Sequence, residues 1–261
     1  MTSRSQRVKK RERLPAIVAR ASAPRASALV TGGAIRLGRA IALDLAQAGM
    51  NVAIGYHRSR SAARKTVGDL EQLGVKAVAI RADLRRPEEA QRLVVAAASA
   101  LGGLDVLVNS AAVFDRTPFE RTTPAQYDAL LDLNLRGAFF CAQAAARAMR
   151  RRGGHIVNLG DVGADQAWPG YIPYTMSKAG IAALTRGLAK ALATRGIAVN
   201  GVAPGAVLRP PRFPLKRWRV ITRRYATTVA DVTGAVRFFA TCPRDVTGRI
   251  AKLERRRRRT S

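Results

Sequence analysis

A tyrosine and a lysine four residues apart are the pair in this sequence best suited to move a proton. Tyr174 and Lys178 lie within residues 170–185, a stretch with helix-forming composition. Four residues span just over one helical turn, so both side chains project from one face. A free phenol has a pKa of about 10, and a nearby cation favours the phenolate and lowers that pKa. The pair is a candidate general acid/base with its tuning cation, although the same spacing is also common on helix surfaces.

The elements that must position this pair are predicted from alternating apolar strands and helices. Strands are predicted at residues 28–31, 51–56, 76–81, 105–109, 155–159, 198–202 and 246–251. Helices are predicted at residues 39–49, 62–73, 87–101, 124–152 (bent near Gly137), around Tyr174 as far as 194, and 231–240. Residues 207–226, rich in Pro, Arg and Trp, are predicted to be irregular. Repeated strand–helix–strand units predict an α/β fold with a parallel sheet covered on both faces.

A glycine-rich turn joins the first strand to the first helix. Residues 31–38 have the sequence Thr-Gly-Gly-Ala-Ile-Arg-Leu-Gly, in which Gly32, Arg36, Leu37 and Gly38 are candidate cofactor contacts. Glycines let the backbone approach a pyrophosphate closely, and the helix N-terminus then faces the anion. The alternative is a plain turn with no ligand.

The end of the second strand indicates which dinucleotide the turn would hold. An NAD site needs an acidic residue there for the ribose hydroxyls, and there is none between Asp44 and Asp69. His57, Arg58 and Ser59 stand there instead, and a guanidinium and a hydroxyl suit a 2′-phosphate. We therefore predict NADPH rather than NADH.

Charge and composition bound the remaining possibilities. The 261 residues carry a net charge of +29, of which residues 1–25 hold +7, residues 206–261 hold +13 and the middle only +9. The ends are predicted to be basic disordered tails that could contact nucleic acid without sequence preference. Cys141 and Cys242 have no metal-ligand spacing, so no metal site is expected, and a reducing cytoplasmic location is expected. No apolar run is long enough to span a membrane.

Six motifs in order carry a resemblance to a known family. They are the 31–38 turn, Asp83, the run Asn109, Ser110 and Ala111, then Asn134, the Tyr174 and Lys178 pair, and residues 200–205 with the sequence Asn-Gly-Val-Ala-Pro-Gly. Across residues 27–205 the chain resembles the short-chain dehydrogenase/reductase family. That resemblance implies a single-domain, doubly wound Rossmann-type sheet of seven strands, hydride transfer from a nicotinamide to a small-molecule substrate, and a homo-oligomer, a tetramer in the family.

The resemblance also implies roles for the matching residues. Tyr174 would donate the proton, and Lys178 would bind the nicotinamide ribose and tune Tyr174. Asn134 would hold a water that connects Lys178 to solvent. The remaining matches would contact the cofactor: Asp83 at the adenine, Asn109, Ser110 and Ala111 along its length, and Pro204 and Gly205 beside the nicotinamide.

Narrower features are similar to the pteridine reductases within this family. Arg36 stands in the glycine turn, His57, Arg58 and Ser59 end the second strand, and Asp161 replaces the family's catalytic serine thirteen residues before Tyr174. Phe114 matches the position of the phenylalanine that stacks on a pterin. The resemblance assigns substrate contacts to Arg36, Phe114, Asp161 and Tyr174.

The Asp161 substitution favours a substrate with a C=N bond. An ionised carboxylate cannot donate a hydrogen bond and repels a developing oxyanion, but it accepts from the N–H groups of an aminopterin. NADPH-dependent pteridine reduction is therefore the leading expectation. A short-chain reductase of a carbonyl substrate, such as a 3-oxoacyl group, is the first alternative. A weakly active Rossmann scaffold that binds polyanions through its basic ends is the second.

The C-terminal part departs from the family pattern. Its last strand usually ends in Val-Asp-Gly-Gly, whereas residues 249–254 are Arg-Ile-Ala-Lys-Leu-Glu and five arginines follow. We expect a basic tail at residues 1–26, a reductase domain at 27–250 that diverges from the family over 206–250, and a basic tail at 251–261. The departure puts the substrate lid, the last strand and the tetramer interface in question.

Overall fold

The computed structural model describes residues 25–149, 152–166, 168–211 and 213–254. Its strands are β1 (Ser27–Val30), β2 (Asn51–Tyr56), β3 (Ala77–Arg81), β4 (Val106–Asn109), β5 (Gly154–Leu159), β6 (Ile197–Pro204) and β7 (Ile250–Leu253). All pair in parallel, in the order β3-β2-β1-β4-β5-β6-β7. The order reverses between β1 and β4, which makes the sheet doubly wound. The predicted single-domain Rossmann-type α/β fold is confirmed.

Helices cover both faces of the sheet. The described helices are α1 (Arg36–Gln47), α2 (Arg60–Glu71), α3 (Pro87–Leu101), α4 (Pro124–Leu131), α5 (Gly137–Ala148), α6 (Ile172–Leu192), α7 (Leu215–Tyr225) and α8 (Val229–Thr241). Along β1, Ala28 and Val30 pack in the layer that contains α1, α2 and α8. Leu29 between them packs in the opposite layer with α3 and α5. Because both faces are buried, residues 28–30 of this strand are apolar at successive positions rather than alternating.

The strand register brings the carboxyl ends of the central strands to one edge. Val30 pairs with Ile54 of β2 and with Val108 of β4, and Asn109 pairs with Asn158 of β5. The loops that follow these strands therefore emerge side by side, at the reversal where open α/β sheets bind ligands.

The long helix predicted at residues 124–152 is divided in the structure. A π-helical turn, Asp132–Arg136, separates α4 from α5. Gly137 begins α5, and a Cβ atom there would lie 2.7 Å from the carbonyl oxygen of Leu84. The glycine lets the helix pass close to that backbone, and the π-helical turn that precedes it interrupts the helix where the bend was expected.

Residues 207–226 were predicted to be irregular. This prediction is wrong for the second half of the segment, which forms α7. The prolines before Leu215 hid the start of this helix, and Pro214 lies just ahead of its first turn. Trp218 and Ile221, three residues apart, lie on one face of α7 and line a cavity.

The divergent C-terminus still completes the sheet. β7 pairs with residues 201–204 of β6 and ends at Leu253, beyond the predicted domain boundary at residue 250. The Leu253 carbonyl accepts hydrogen bonds from the Gly205 N–H (2.9 Å) and from the Thr227 hydroxyl. The last strand therefore pairs with β6 although its sequence departs from the family pattern.

The predicted basic tails lie almost entirely outside the described residues, at 1–24 and 255–261. Their expected contact with nucleic acid stays a prediction. Within the described ranges, none of the helices combines the length and apolar character needed to cross a membrane.

Candidate active site

A cavity of about 1240 Å³ opens at the carboxyl edge of the sheet. Typical ligand pockets measure about 300–1,000 Å³, so this one has room for a dinucleotide and a second ligand. Every predicted site residue lines it except Asn109 and Asn134, which are buried. The predicted glycine turn, the residues predicted to bind the cofactor's 2′-phosphate (His57, Arg58 and Ser59) and Tyr174 therefore line the same cavity.

The glycine turn forms one end of this cavity, and its geometry requires glycine at two positions. Gly32 has φ +65, and a Cβ atom there would lie 2.9 Å from the Cα of Ala111. A Cβ on Gly38 would lie 2.3 Å from the carbonyl oxygen of Gly32. Contacts this short do not occur between non-bonded atoms, so the turn can close only with glycine at both positions.

A Gly38→Ala substitution tests this close approach. We expect the protein to lose about 1–3 kcal/mol of stability, the usual cost of overpacking, and the melting temperature to fall by several degrees. Gly187→Ala on α6 is the matched control, because nothing lies within 4 Å of its added Cβ and alanine favours a helix. Thermal unfolding of both variants measures the difference, and equal melting temperatures would contradict the steric argument.

The first turn of α1 faces the cavity without a side-chain cap among the described residues. The first N–H groups of a helix have no partner within the helix, and they carry the positive end of its dipole. Leu37 and Gly38 lie in this turn and line the cavity. The turn therefore fits the phosphates of a dinucleotide.

Arg36 connects the glycine turn to the loop before α7. Its backbone has φ 53, a left-handed conformation that is uncommon outside glycine. Its guanidinium donates hydrogen bonds to the carbonyls of Leu208 (3.0 Å) and Arg209 (2.9 Å). The side chain lines the cavity, and its expected contacts with cofactor phosphate and substrate stay predictions.

The predicted ribose end lies beyond β2 and β3. Arg58 and Ser59 line the cavity there with His57, whose Nε2 is 3.8 Å from Oδ2 of Asp83. Arg85, which the sequence analysis missed, donates from Nε to Oδ1 of Asp83 at 2.9 Å. These hydrogen bonds lower the pKa of Asp83 to about 2, despite the opposing effect of burial. Asp83 therefore presents a fixed carboxylate at this end.

Buried polar side chains hold the strand ends in place. The Thr31 hydroxyl accepts from the N–H groups of Ser110 (2.9 Å) and Ala111 (3.1 Å). Asn109 donates from Nδ2 to Oδ1 of Asn158 at 2.9 Å. These contacts tie the turns after β1, β4 and β5 together, so Asn109 positions the cavity wall rather than lining it.

Tyr174 and Asp161 both line the cavity and contact each other. The Tyr174 hydroxyl donates to Oδ2 of Asp161 at 2.7 Å, and the Gly163 N–H donates to Oδ1 at 2.7 Å. Asp161 follows β5, and Tyr174 lies in the first turn of α6, where Pro173 favours helix initiation. The two side chains can share a proton next to a bound substrate.

Burial controls the protonation of this pair. The pKa of Asp161 is raised, because the loss of solvent outweighs its hydrogen bonds from Tyr174 and Gly163 and the charge of Lys178. The pKa of Tyr174 is raised well above its usual value by burial first and then by the Asp161 charge. The phenol therefore keeps its proton at neutral pH.

The expected tuning of Tyr174 by Lys178 is not what the structure shows. The ammonium donates to the Leu159 carbonyl at 2.9 Å and lies 5.9 Å from the centre of the Tyr174 ring. Its own pKa is lowered by burial. The two residues share a helix face as predicted, but the long lysine side chain reaches a backbone carbonyl, and Asp161 is the charge that acts on the phenol.

Asn134 connects the loop after β4 to α6 through hydrogen bonds. It lies in the π-helical turn, exchanges hydrogen bonds with the backbone of Val113 (2.9 and 3.0 Å), and donates to the Ser177 hydroxyl at 3.1 Å. Ser177 in turn donates to the Tyr174 carbonyl at 2.7 Å. The predicted water beside Asn134 stays a prediction, and the contacts described give this residue a structural function.

Aromatic rings form the far wall of the cavity. Phe114 stacks on Tyr171 with ring centres 4.7 Å apart and meets Tyr174 edge-on at 4.7 Å. Phe213 follows at 6.2 Å from Phe114, and Trp218 lies 6.3 Å beyond Phe213. The wall is apolar, so it suits an apolar or planar substrate.

Most of this wall and the arginines beside it were not predicted from the sequence. Tyr171, Trp168, Phe213 and Trp218 line the cavity with Arg116 and Arg217. The available signal was the spacing of Leu215, Trp218 and Ile221, which places them on one face of a helix.

Comparisons with known proteins identify the family. Residues 26–217 match the family model described as short chain dehydrogenase. Over 183 residues the chain is 40% identical to a 3-oxoacyl-(acyl-carrier-protein) reductase of Staphylococcus aureus, a match that covers 70% of this chain and 74% of that protein. The chain therefore belongs to the short-chain dehydrogenase/reductase family and is an oxidoreductase.

Solved structures support the same assignment. A short chain dehydrogenase from Burkholderia cenocepacia in complex with NADP is 35% identical, with a TM-score of 0.82 over 88% of this chain and 96% of that chain. A blue fluorescent protein from a metagenomic library in complex with NADPH is 34% identical, with the same TM-score and coverage. These comparisons establish the family and leave the narrower similarity to pteridine reductases as a prediction.

Proposed function

We propose that the protein reduces a carbonyl group with NADPH as the hydride donor. The observation that carries this proposal is the position of Tyr174, hydrogen-bonded to Asp161 at 2.7 Å, in the same cavity onto which the first turn of α1 opens. NADPH, when bound, supplies the hydride. Tyr174 donates its hydroxyl proton to the carbonyl oxygen of the substrate.

Asp161 must be neutral or displaced for this step. The Tyr174 hydroxyl donates to Asp161 (2.7 Å), and a substrate oxygen has to compete for that donor. A protonated Asp161 can itself donate, and so replace the hydroxyl of the family's serine. Its raised pKa favours that form.

The relatives support a carbonyl substrate. The Staphylococcus aureus protein is named a 3-oxoacyl reductase, and the two structural neighbours are complexes with NADP and NADPH. We therefore place a 3-oxoacyl-type carbonyl ahead of the pteridine substrate that the sequence alone favoured.

Pteridine reduction remains the second candidate because of the contact between Asp161 and Tyr174. An ionised Asp161 accepts hydrogen bonds from ring N–H groups. A serine hydroxyl is a weaker acceptor for such groups. Phe114 weakens this candidate, because Tyr171 already covers one of its faces (4.7 Å, 13° between the ring planes). A pterin would have to stack on the other face or displace Tyr171.

Steady-state turnover with NADPH on a 3-oxoacyl thioester and on a dihydropteridine tests the proposal. We expect the thioester to have the higher kcat/KM. A higher value for the dihydropteridine would reverse the order of the two candidates, and no turnover of either would contradict both.

The cofactor assignment gives a separate prediction at Arg58, which lines the cavity at the ribose end. A hydrogen bond to a charged group contributes about 1.5–3 kcal/mol. Since this side chain is exposed, we take the lower part of that range. Arg58→Ala should raise the NADPH dissociation constant about tenfold and leave that of NADH nearly unchanged, measured by fluorescence titration. Arg64→Ala, an exposed α2 arginine that does not line the cavity, is the control, and equal losses for both cofactors would refute the assignment.

A further inference from the structure

Arg36 connects two loops that follow strands far apart in the sheet. It begins α1, directly after the glycine turn that follows β1. Its Nη2 donates to the carbonyl oxygens of Leu208 (3.0 Å) and Arg209 (2.9 Å), which belong to the loop between β6 and α7. The partners are 172 and 173 positions away in the chain, so this is a tertiary contact and not a local helix cap.

The strand order shows where this contact lies. In the sheet, β4 and β5 lie between β1 and β6, so the ends of β1 and β6 are three strand spacings apart, about 14 Å at the usual spacing. The guanidinium and the loop after β6 can meet only if they extend across the ends of β4 and β5. Ser110 and Asp161, which follow those two strands, line the cavity there. Arg36 and Leu208 line it as well, and the contact therefore spans the cavity.

The backbone of Arg36 adopts a conformation that favours glycine. Its φ is 53, and it is the only non-glycine residue with a positive φ among those that the structure describes. A Cβ atom makes this left-handed conformation unfavourable, and it persists where surrounding contacts stabilise it. The hydrogen bonds to Leu208 and Arg209 are contacts that a glycine could not make. The side chain at this position therefore has a function that the turn itself does not require.

The loop that Arg36 contacts has few other connections. Its start is fixed where the Thr227 N–H donates to the Ala206 carbonyl at 3.2 Å. Beyond that point, the hydrogen bonds from Arg36 are the only described ones that join residues 207–211 to a part of the chain distant in sequence. We therefore expect the Arg36 side chain to determine where this loop lies.

The position of this loop determines the position of the aromatic wall. Arg209 donates from Nη1 to the Phe213 carbonyl at 2.6 Å, so a residue that accepts from Arg36 also contacts the first ring beyond the loop. The Phe213 ring lies 6.2 Å from Phe114 and 6.3 Å from Trp218. A loop released from Arg36 would carry Phe213 and Trp218 away from Phe114 and open this side of the cavity.

We propose that Arg36 is a positioning residue for the substrate. It holds the loop between β6 and α7 across the cavity, and so fixes the aromatic wall against which the substrate packs. This action goes through the loop and is separate from the predicted contact of Arg36 with cofactor phosphate. Loss of the guanidinium should weaken binding of a substrate that reaches the wall and leave proton transfer from Tyr174 unchanged. The kinetic part of this inference rests on the proposed carbonyl reduction.

Hydrogen exchange, read by mass spectrometry, tests the contact without turnover. Arg36→Gly removes the guanidinium and suits the backbone, since glycine adopts a φ of 53 without strain. We expect the α7 amides to exchange about tenfold faster in this variant, the factor that one hydrogen bond from an exposed charged group contributes. The increase should be present both without NADPH and at saturating NADPH. The α6 amides should exchange as in the wild type, which shows that the fold is intact.

Arg58→Ala is the matched control for loss of charge. Arg58 lines the cavity and is predicted to contact cofactor phosphate, but its side chain makes no described hydrogen bond to the loop after β6. Its α7 amides should exchange as in the wild type. Unchanged α7 exchange in Arg36→Gly, or an equal increase in Arg58→Ala, would overturn the proposal. An increase seen only with NADPH would also overturn it, because Arg36 would then act through the bound cofactor.

Two ketones of different length, 2-butanone and 4-phenyl-2-butanone, give a kinetic readout at saturating NADPH. The phenyl group of the longer ketone can contact the aromatic wall. We expect Arg36→Gly to raise KM for 4-phenyl-2-butanone about tenfold, with kcat within about twofold of the wild type and kcat/KM for 2-butanone nearly unchanged. An equal loss for both ketones would overturn the positioning role. If the wild type reduces neither ketone, the exchange result alone decides this inference, so its failure and that of the proposed function stay distinct.

Discussion

Tyr174→Phe should lower kcat for carbonyl reduction by about 10²–10⁴-fold, the scale of a lost general acid. The substitution removes one oxygen atom and keeps the ring that meets Phe114 edge-on at 4.7 Å. Because burial keeps the phenol protonated, this oxygen holds the proton that the product alkoxide needs. Binding of NADPH should change little, since the glycine turn lies at the other end of the cavity.

Single-turnover kinetics and NADPH titration measure the two quantities separately. Tyr127→Phe is the control, because Tyr127 is a partly exposed tyrosine of α4 that does not line the cavity. If Tyr174→Phe kept more than a tenth of wild-type kcat, Tyr174 would not be the proton donor, and the hydrogen-bonded Asp161 would be the next candidate.

The sequence predicted the fold well because its evidence is local. The bounds of β2 and α3 agree with the prediction, since an apolar run defines β2 while Pro87 and Gly102 mark the two ends of α3. The prediction failed where a helix depends on distant partners. Phe213, just before α7, packs against Phe114, which lies far away in the chain. The local composition of residues 207–226 does not predict that contact.

The sequence predicted which residues form the site, but it did not predict how they affect the pKa of Tyr174. Spacing placed Tyr174 and Lys178 on one helix face, but it could not show that the ammonium binds the Leu159 carbonyl. The direction of the Tyr174 pKa shift was therefore predicted wrongly. The contact of Tyr174 with Asp161 was expected only from the family resemblance, because thirteen residues and a loop separate them and periodicity does not fix such a distance.

Asp161→Ser should move the two candidate activities in opposite directions. In the wild type, Asp161 accepts the Tyr174 hydroxyl hydrogen at 2.7 Å. A serine would release that hydrogen for a carbonyl oxygen and add a second donor, so kcat/KM for a simple ketone should rise about tenfold. Reduction of a dihydropterin, which would use the carboxylate, should fall by about 10²–10⁴-fold.

The pH profile gives this variant a second readout. Because the pKa of Asp161 is raised, the carboxyl stays neutral to a higher pH than an exposed aspartate and can donate to the substrate oxygen. As pH rises through that pKa, the wild type should lose ketone activity, since the ionised group no longer donates and repels the developing oxyanion.

Steady-state kinetics of the wild type, Asp161→Ser and the isosteric Asp161→Asn across the pH range decide the matter. Serine and asparagine have no acid group to titrate at this position, so both variants should lack the decline seen in the wild type. An identical decline in all three proteins would assign the titration to another group. Pterin turnover left unchanged by Asp161→Ser would remove the pteridine candidate and leave the carbonyl reductase.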